Sequence, residues 1–330
     1  MINALPYSLP LCIPLFTLVG AYLGGWWVTL GIVIAFVIHP ILDFFAPQIR
    51  EEDESSPKNP FWYSFLLWIY LPLQVIFLNV IFYWISVRFY SLPELLGIIL
   101  SVGTVTGALG ITMAHELVHR KDRWERGLGV GLLAMVNYTH FRIEHVFGHH
   151  KHVATPLDPA SARPGESLYS FLPRSLFGSF LSAWSIEGKR RNVLRNRMYH
   201  YLIFAALLWS LVFFSYGVLG LVVFLGQSIV AILILESINY IEHCGLQREE
   251  TSPGVYAPVT QMHSWDSHQK FTNLFLFNLG KHAHHHAAPT VPYQDLKLPK
   301  QANTLRYGYS LEILLAFLGK NTTLNTHRIS

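Results

Sequence analysis

Cysteine and charge are both scarce in this 330-residue chain. The two cysteines, Cys12 and Cys244, allow no disulfide framework and no zinc–thiolate cluster. Charged residues make up 13% against 52% hydrophobic, a balance that excludes a highly solvated chain and points to a membrane protein. A Gly-rich dinucleotide fingerprint, a cysteine quartet for an iron–sulfur centre and a haem-attachment motif are all missing, so electrons for any redox step must come from elsewhere. There is no internal repeat and no low-complexity tract. The opening "MINALPYSLPLCIPLF" has neither a basic start nor an A-x-A-like cleavage site, so it is expected to be structure rather than a removed signal peptide.

Long apolar runs are plentiful. A spanning helix needs about 20 mostly apolar residues, and candidates occur near 9–23, 26–46, 61–85, 93–114, 199–216 and 218–241. The expected fold class is therefore all-α, polytopic, with about six transmembrane helices. If the first span leaves the cytoplasm, 47–60, 115–198 and 242–330 fall inside and hold 23 of the 24 Lys and Arg, with Arg88 alone outside. Retention of positive charge in cytoplasmic loops favours that orientation, which places both termini in the cytoplasm. The net charge of +4 then follows from topology and requires no nucleic acid. The whole of 1–330 is expected to form one domain: a four-span platform (1–114), polar histidine motifs (115–198), two spans (199–241) and a cytoplasmic tail (242–330).

Histidine is concentrated. Of 17, all but His39 and His327 lie between positions 115 and 286. In "HELVH", His115 and His119 share a helix face one turn apart. "EHVFGHH" supplies His145, His149 and His150, "NYIEHCG" supplies His243, and "KHAHHH" supplies His282, His285 and His286. Neutral imidazole suits iron, copper, zinc or nickel, and nine imidazoles exceed the capacity of one four- to six-coordinate ion, so two ions are expected. A zinc protease reading of "HELVH", with Glu116 as base, leaves the other histidines unused. A metal transporter would line a path through the bilayer with them instead. Only Glu116 and His119 show the Glu-x-x-His spacing of soluble di-iron bundles, so Glu116, Glu144 and Glu242 are expected to hold the far ring nitrogens of ligands.

"HELVHR", "EHVFGHHKHVATPLDPASARPGES", "NYIEHCGL" and "GKHAHHHAAP" resemble, in order and spacing, four motifs of the integral-membrane alkane 1-monooxygenases, a family related to xylene monooxygenase and the membrane fatty-acid desaturases. The resemblance covers about 115–300. It implies a cytoplasmic non-haem di-iron site held by His115, His119, His145, His149, His150, His243, His282, His285 and His286. His140, His152, His263 and His268 are left as non-ligands. Four positions depart from the family pattern: His284, where an acid is common; Cys244, where Tyr is usual; and Asp266 and His268 in "SWDSH", which replace amides. Asp266 joins the three glutamates as a candidate for holding a ligand in place.

The reaction implied is insertion of one atom of O2 into the terminal C–H of a medium- or long-chain alkane drawn from the bilayer, in a bacterial inner membrane. Trp26, Trp27, Trp62 and Trp68 are candidate walls for the hydrocarbon, against the commoner lipid-facing role. Hydroxylation of methyl-aromatic side chains and fatty-acyl desaturation or hydroxylation are the alternatives. The resemblance also implies an external electron source: a rubredoxin with its NADH-dependent reductase, or a ferredoxin-type reductase. Arg120, Lys121, Arg123, Arg126 and the basic stretch 189–197 offer a surface that would steer an acidic carrier.

Overall fold

The structure, a computed structural model, describes residues 2–50 and 59–320. The acidic stretch 51–58, His327 and the C-terminal Ser330 lie outside the described residues. Among the described residues helix predominates, with two sheets of two short strands each. Among the described residues, five helices are long and apolar enough to cross a membrane: Ala4–Leu23, Gly25–Phe45, Pro60–Val87, Leu92–Val118 and Arg197–His243. The last contains both expected final spans. Gly217, with φ 71° and ψ −171°, interrupts it in a left-handed conformation that side chains resist, leaving 197–216 and 218–243 each long enough to cross.

The chain forms two compact units, each built from three stretches. The first comprises 2–38, 59–140 and 190–235. Its central helix is Leu92–Val118, in which 72% of the most apolar stretch is buried, against 22–39% in the other four spans. Ser91 and Glu94 start this helix with a reciprocal cap, the Glu94 carboxylate accepting the Ser91 N–H at 2.8 Å. The other Glu94 oxygen accepts the Gly25 N–H at 2.6 Å, pinning the turn at Gly24 and Gly25. Small residues let helices approach: a Cβ on Gly107 would lie 2.9 Å from the backbone of Ala231. Thr106–Ile111 is a π-helical turn, of a kind that often marks functional sites. Leu207, Leu211, Phe214 and Trp26 are exposed, as an apolar surface facing lipid would be.

The second unit comprises 39–50, 141–189 and 236–320. Asp43, at the end of the second span, accepts the N–H groups of Phe271 and Thr272 and the Thr272 hydroxyl at 2.6–3.0 Å, capping the helix Lys270–Phe275. Trp265–Asp266 pairs in parallel with Asn303–Thr304. The helix Leu168–Arg190 buries Phe171, Leu172 and Ala183 and exposes Tyr169, Phe177 and Leu181.

Candidate metal centre

Four histidines of the second unit converge. His149, His243, His282 and His286 are all buried, and each offers a ring nitrogen within 4.8 Å of the others'. His149 closes the π-turn His145–His149, His243 ends the long helix Arg197–His243, and His282 and His286 lie one turn apart on His282–Ala287. The Nε2 atoms of His286 and His282 are 3.0 Å apart, and those of His282 and His243 are 3.3 Å apart. Two imidazoles on one ion, each about 2.1 Å from it, place their nitrogens about 3.0–3.4 Å apart. The spacing fits a shared metal.

Tautomers are fixed on the far side of the rings. His149 Nδ1–H donates to Asp158 Oδ2 at 2.8 Å, which leaves the buried Nε2 as a lone pair with no hydrogen-bond partner among the described residues. His243 Nδ1–H donates to the His263 carbonyl at 3.1 Å, freeing its Nε2 in the same way. Burial, helped by the charges of His150 and His282, pushes the His286 pKa far below the ordinary value, keeping that ring neutral as a ligand must be. Asp158 is held in turn: it accepts Ser161 Oγ at 2.5 Å and the Ala160 N–H at 3.0 Å. Burial pushes this carboxyl up, but His149 and Ser161 outweigh it and leave the group below its usual range. Asp158 escaped the sequence reading, although "LDPAS" spells an Asx turn nine residues after His149.

Arg174 braces the same loop. It donates to both oxygens of Glu166 at 2.6–2.7 Å and to the carbonyls of Pro159 and Ser161 at 3.0 Å. Burial pushes the Glu166 carboxyl up, yet the hydrogen bonds from Arg174 and the Arg163 N–H hold it below the usual range.

His145, His150 and His285 form a second gathering in this unit, their ligand atoms again within 4.8 Å. His150 Nε2 is 3.0 Å from His145 Nε2 and 3.2 Å from His285 Nε2, and the His145 ring stacks on Phe141 at 4.6 Å. In the first unit, His115 and His119 present nitrogens within 4.8 Å of each other, their rings 5.3 Å apart.

The acids take varied places. Glu242 Oε1 lies 3.2 Å from His282 Nδ1 and accepts the Tyr309 hydroxyl at 2.6 Å; Tyr309 carried no sequence signal, being 67 residues away. Asp266 accepts the Ala283 N–H at 2.7 Å, securing the first turn of His282–Ala287. Burial raises its pKa to about 7 against the pull of the Ala283 and His282 N–H groups. Glu116 pairs with Arg120 at 2.8 Å. Glu144 lies 3.4 Å from the Ser182 hydroxyl, and burial, then the charges of Asp158 and Glu236, push it far above the carboxylate range.

The remaining histidines have other work. His140 packs against Tyr138 at 4.4 Å and is held neutral, near pKa 4, by burial. His263 Nδ1 accepts the Thr260 N–H at 2.9 Å, and His284 Nδ1 accepts the Lys297 N–H at 2.9 Å. Trp26 and Trp27 are 91% and 57% exposed, which places them on the outer surface rather than around a hydrocarbon. Trp68 donates to Glu125 at 2.8 Å.

Comparison with known proteins gives the class first. The profile of the fatty acid desaturase family matches residues 91–306, which contain all nine histidines. Within that class, alkane 1-monooxygenase 1 of Pseudomonas aeruginosa is 38% identical over 315 residues, covering 89% of this chain and 80% of the relative. Alkane 1-monooxygenase 2 of the same organism is 46% identical over 228 residues, 67% of this chain and 60% of the relative. The hydroxylase component of xylene/toluene monooxygenase from Pseudomonas putida is 29% identical over 297 residues, 86% of this chain and 78% of the relative. The chain belongs to the alkane 1-monooxygenase family, within the wider fatty acid desaturase family: an integral membrane protein with a histidine-rich metal site.

Proposed function

We propose that this protein is a non-haem di-iron monooxygenase that hydroxylates the terminal C–H of medium- or long-chain alkanes with O2 and externally supplied electrons. The observation that carries the reading is the group His149, His243, His282 and His286, whose buried nitrogens converge at metal-ligand spacing. Nine imidazoles, from His115 to His286, exceed one ion's capacity, so two ions fit the number, and kinship with the alkane 1-monooxygenases is what makes iron the metal proposed. When bound and reduced by the external donor, these ions would pass on the electrons and supply the Lewis acidity that activate O2.

The chain's own residues orient and shield. Asp158 and the His263 carbonyl hold the His149 and His243 rings in one tautomer, and Glu242 with Tyr309 backs His282. Complete burial of this group keeps bulk water from the reacting carbon. Alkanes partition into the bilayer, so substrate reaches the spans laterally.

Electrons come from a rubredoxin and its NADH-dependent reductase, or from a ferredoxin-type reductase, docking beside Arg120, Lys121, Arg123 and Arg126. The metal site and both termini face the cytoplasm of a bacterial inner membrane, in keeping with the 23-to-1 partition of Lys and Arg. Identity to alkane 1-monooxygenases above that to the xylene/toluene enzyme favours alkanes over methyl-aromatic compounds.

Gas chromatography of products from membranes given reductant, carrier, O2 and alkanes of graded length tests the reading. The expected product is the 1-alcohol. Desaturated acyl chains, or benzylic alcohols from methyl-aromatic substrates with none from alkanes, would replace it with an alternative.

A further inference from the structure

The helix Leu168–Arg190 of the second unit is built inside out for a surface in water. Its inner face buries Ser175, Ser179 and Glu187 alongside Phe171, Leu172 and Ala183. Outward, at intervals of four residues that keep them on one stripe, stand Tyr169, Pro173, Phe177 and Leu181. Phe177 is 73% exposed and Leu181 65%. The stripe continues onto the helix Tyr309–Phe317. There the Tyr169 ring lies 6.2 Å from that of Phe317, and its hydroxyl donates to the Phe317 carbonyl at 2.7 Å. Leu318, next in the chain, is exposed as well. A contiguous apolar patch of this kind marks an interaction surface.

Two observations name the partner. The first is position. At 23 residues the helix is long enough to cross a bilayer, yet it is not among the five that are also apolar enough. It is nonetheless tied to the bilayer at both ends. Near its start the Phe171 ring packs on Tyr240 at 5.3 Å, Ser175 donates to Glu236, and the Tyr240 hydroxyl donates to the Glu166 carbonyl at 2.7 Å. Glu236 and Tyr240 lie close to the C-terminal end of the spanning helix Arg197–His243. Past its own end, six residues lead from Arg190 to Arg197, where that spanning helix begins, a reach of no more than about 25 Å. The second observation is charge. The exposed stripe carries no acid, and the helix ends in exposed Lys189 and Arg190, with Arg191 and Arg195 following in the sequence. No Asp or Glu occurs between Glu187, which is buried, and Glu236. An apolar face with cations at one end matches a leaflet interface, where acyl chains take the rings and headgroup phosphates take the cations.

We propose that Leu168–Arg190 lies in the membrane interface, with Phe177 and Leu181 among acyl chains and Lys189 and Arg190 on the phosphates of anionic lipid. This gives the second unit a lipid-binding surface of its own, outside the spans. Its inner face touches the ligand turn His145–His149, since a Cβ on Gly148 would lie 3.2 Å from Ile186. Bound lipid is therefore one helix away from the turn that carries His149. The surface needs neither iron nor turnover, so it stands or falls independently of the proposed function.

The test uses the full-length protein in lipid nanodiscs, with Cys12→Ser removing the exposed thiol and Cys244 left buried. A bimane fluorophore is attached at Phe177→Cys or Leu181→Cys, and at Ser252→Cys on the exposed strand Glu250–Ser252 as a water-facing reference. Doxyl-labelled phosphatidylglycerol, doxyl-labelled phosphatidylcholine and aqueous acrylamide serve as quenchers. At 177 and 181 the labelled lipids are expected to quench, and acrylamide to act at least about threefold more weakly than at 252. Phosphatidylglycerol should quench about two- to threefold better than phosphatidylcholine at equal mole fraction, and Lys189→Gln combined with Arg190→Gln should abolish that preference. Acrylamide reaching 177 and 181 as readily as 252 would put the face in water and overturn the proposal. Protection from lipid and acrylamide alike would assign the face to protein, such as a second copy of this chain, and overturn it too. Equal quenching by the two lipids would overturn the anionic assignment. The two label positions are read separately, so the test stands if one variant fails to insert.

Discussion

The two ends of the four-histidine group are held in different ways. His149 takes its support locally, from Asp158 nine residues on, in a loop that Arg174 ties down through four hydrogen bonds. His243 and His282 take theirs from afar: the His263 carbonyl is 20 residues from His243, and Tyr309 is 67 residues from Glu242. A local hold can form before the second unit is complete. A distant hold exists only when the tail has packed. The difference predicts that damage at 149–174 acts through one ring, whereas damage in 236–309 acts through the assembly of the unit.

Removing a ligand should cost most, because it defeats both kinds of hold. His149→Ala, His243→Ala and His286→Ala are each expected to reduce alkane hydroxylation by at least about a hundredfold with the protein still inserted, and to lower bound metal, as read by product chromatography and elemental analysis. Asp158→Ala comes next. The His149 ring then loses its tautomer and orientation, and metal affinity in chelator competition should fall about 10- to 100-fold. Arg174→Lys should reproduce a part of that loss, roughly three- to tenfold, since a lysine cannot hold Glu166 bidentately and two carbonyls as well. If Arg174→Lys equals Asp158→Ala, the brace rather than the carboxylate sets the ring.

The distant side sharpens the comparison. Tyr309→Phe removes the 2.6 Å hydrogen bond to Glu242 and is expected to lower activity only a few-fold while broadening thermal unfolding of the tail. The mildest effect is a pH dependence. Glu166→Gln should lower the melting temperature at neutral pH, and the sign follows from the depressed Glu166 pKa. Its contribution is present above the unfolded value, about 4.3, and disappears as pH falls through the lower folded value. Scanning calorimetry should therefore find wild type and variant converging below about pH 4. His152→Ala, outside both holds, should change turnover less than about twofold.

Much of this arrangement is legible in the residues. The apolar runs announce the spans, because a helix crossing lipid must be apolar over its length, and Gly217 announces the break between the last two. The spacing of His282 and His286 puts them on one face whatever the rest of the chain does. Tyr309 and the His263 carbonyl are invisible in sequence because tertiary contact, not spacing, brings them to the site. Asp266 reads as a neighbour of the ligands, but only the structure shows that it secures the backbone of the ligand helix rather than a ring. Trp26 and Trp27 could line a cavity or face outward on sequence grounds, and their exposure puts them on the outer surface.

The central claim is that the histidines gather to hold two irons. Elemental analysis of purified protein that still converts alkane to 1-alcohol tests it most directly. The account predicts about two irons per chain, falling in His286→Ala. One ion per active chain, or stoichiometric zinc without iron, would contradict it.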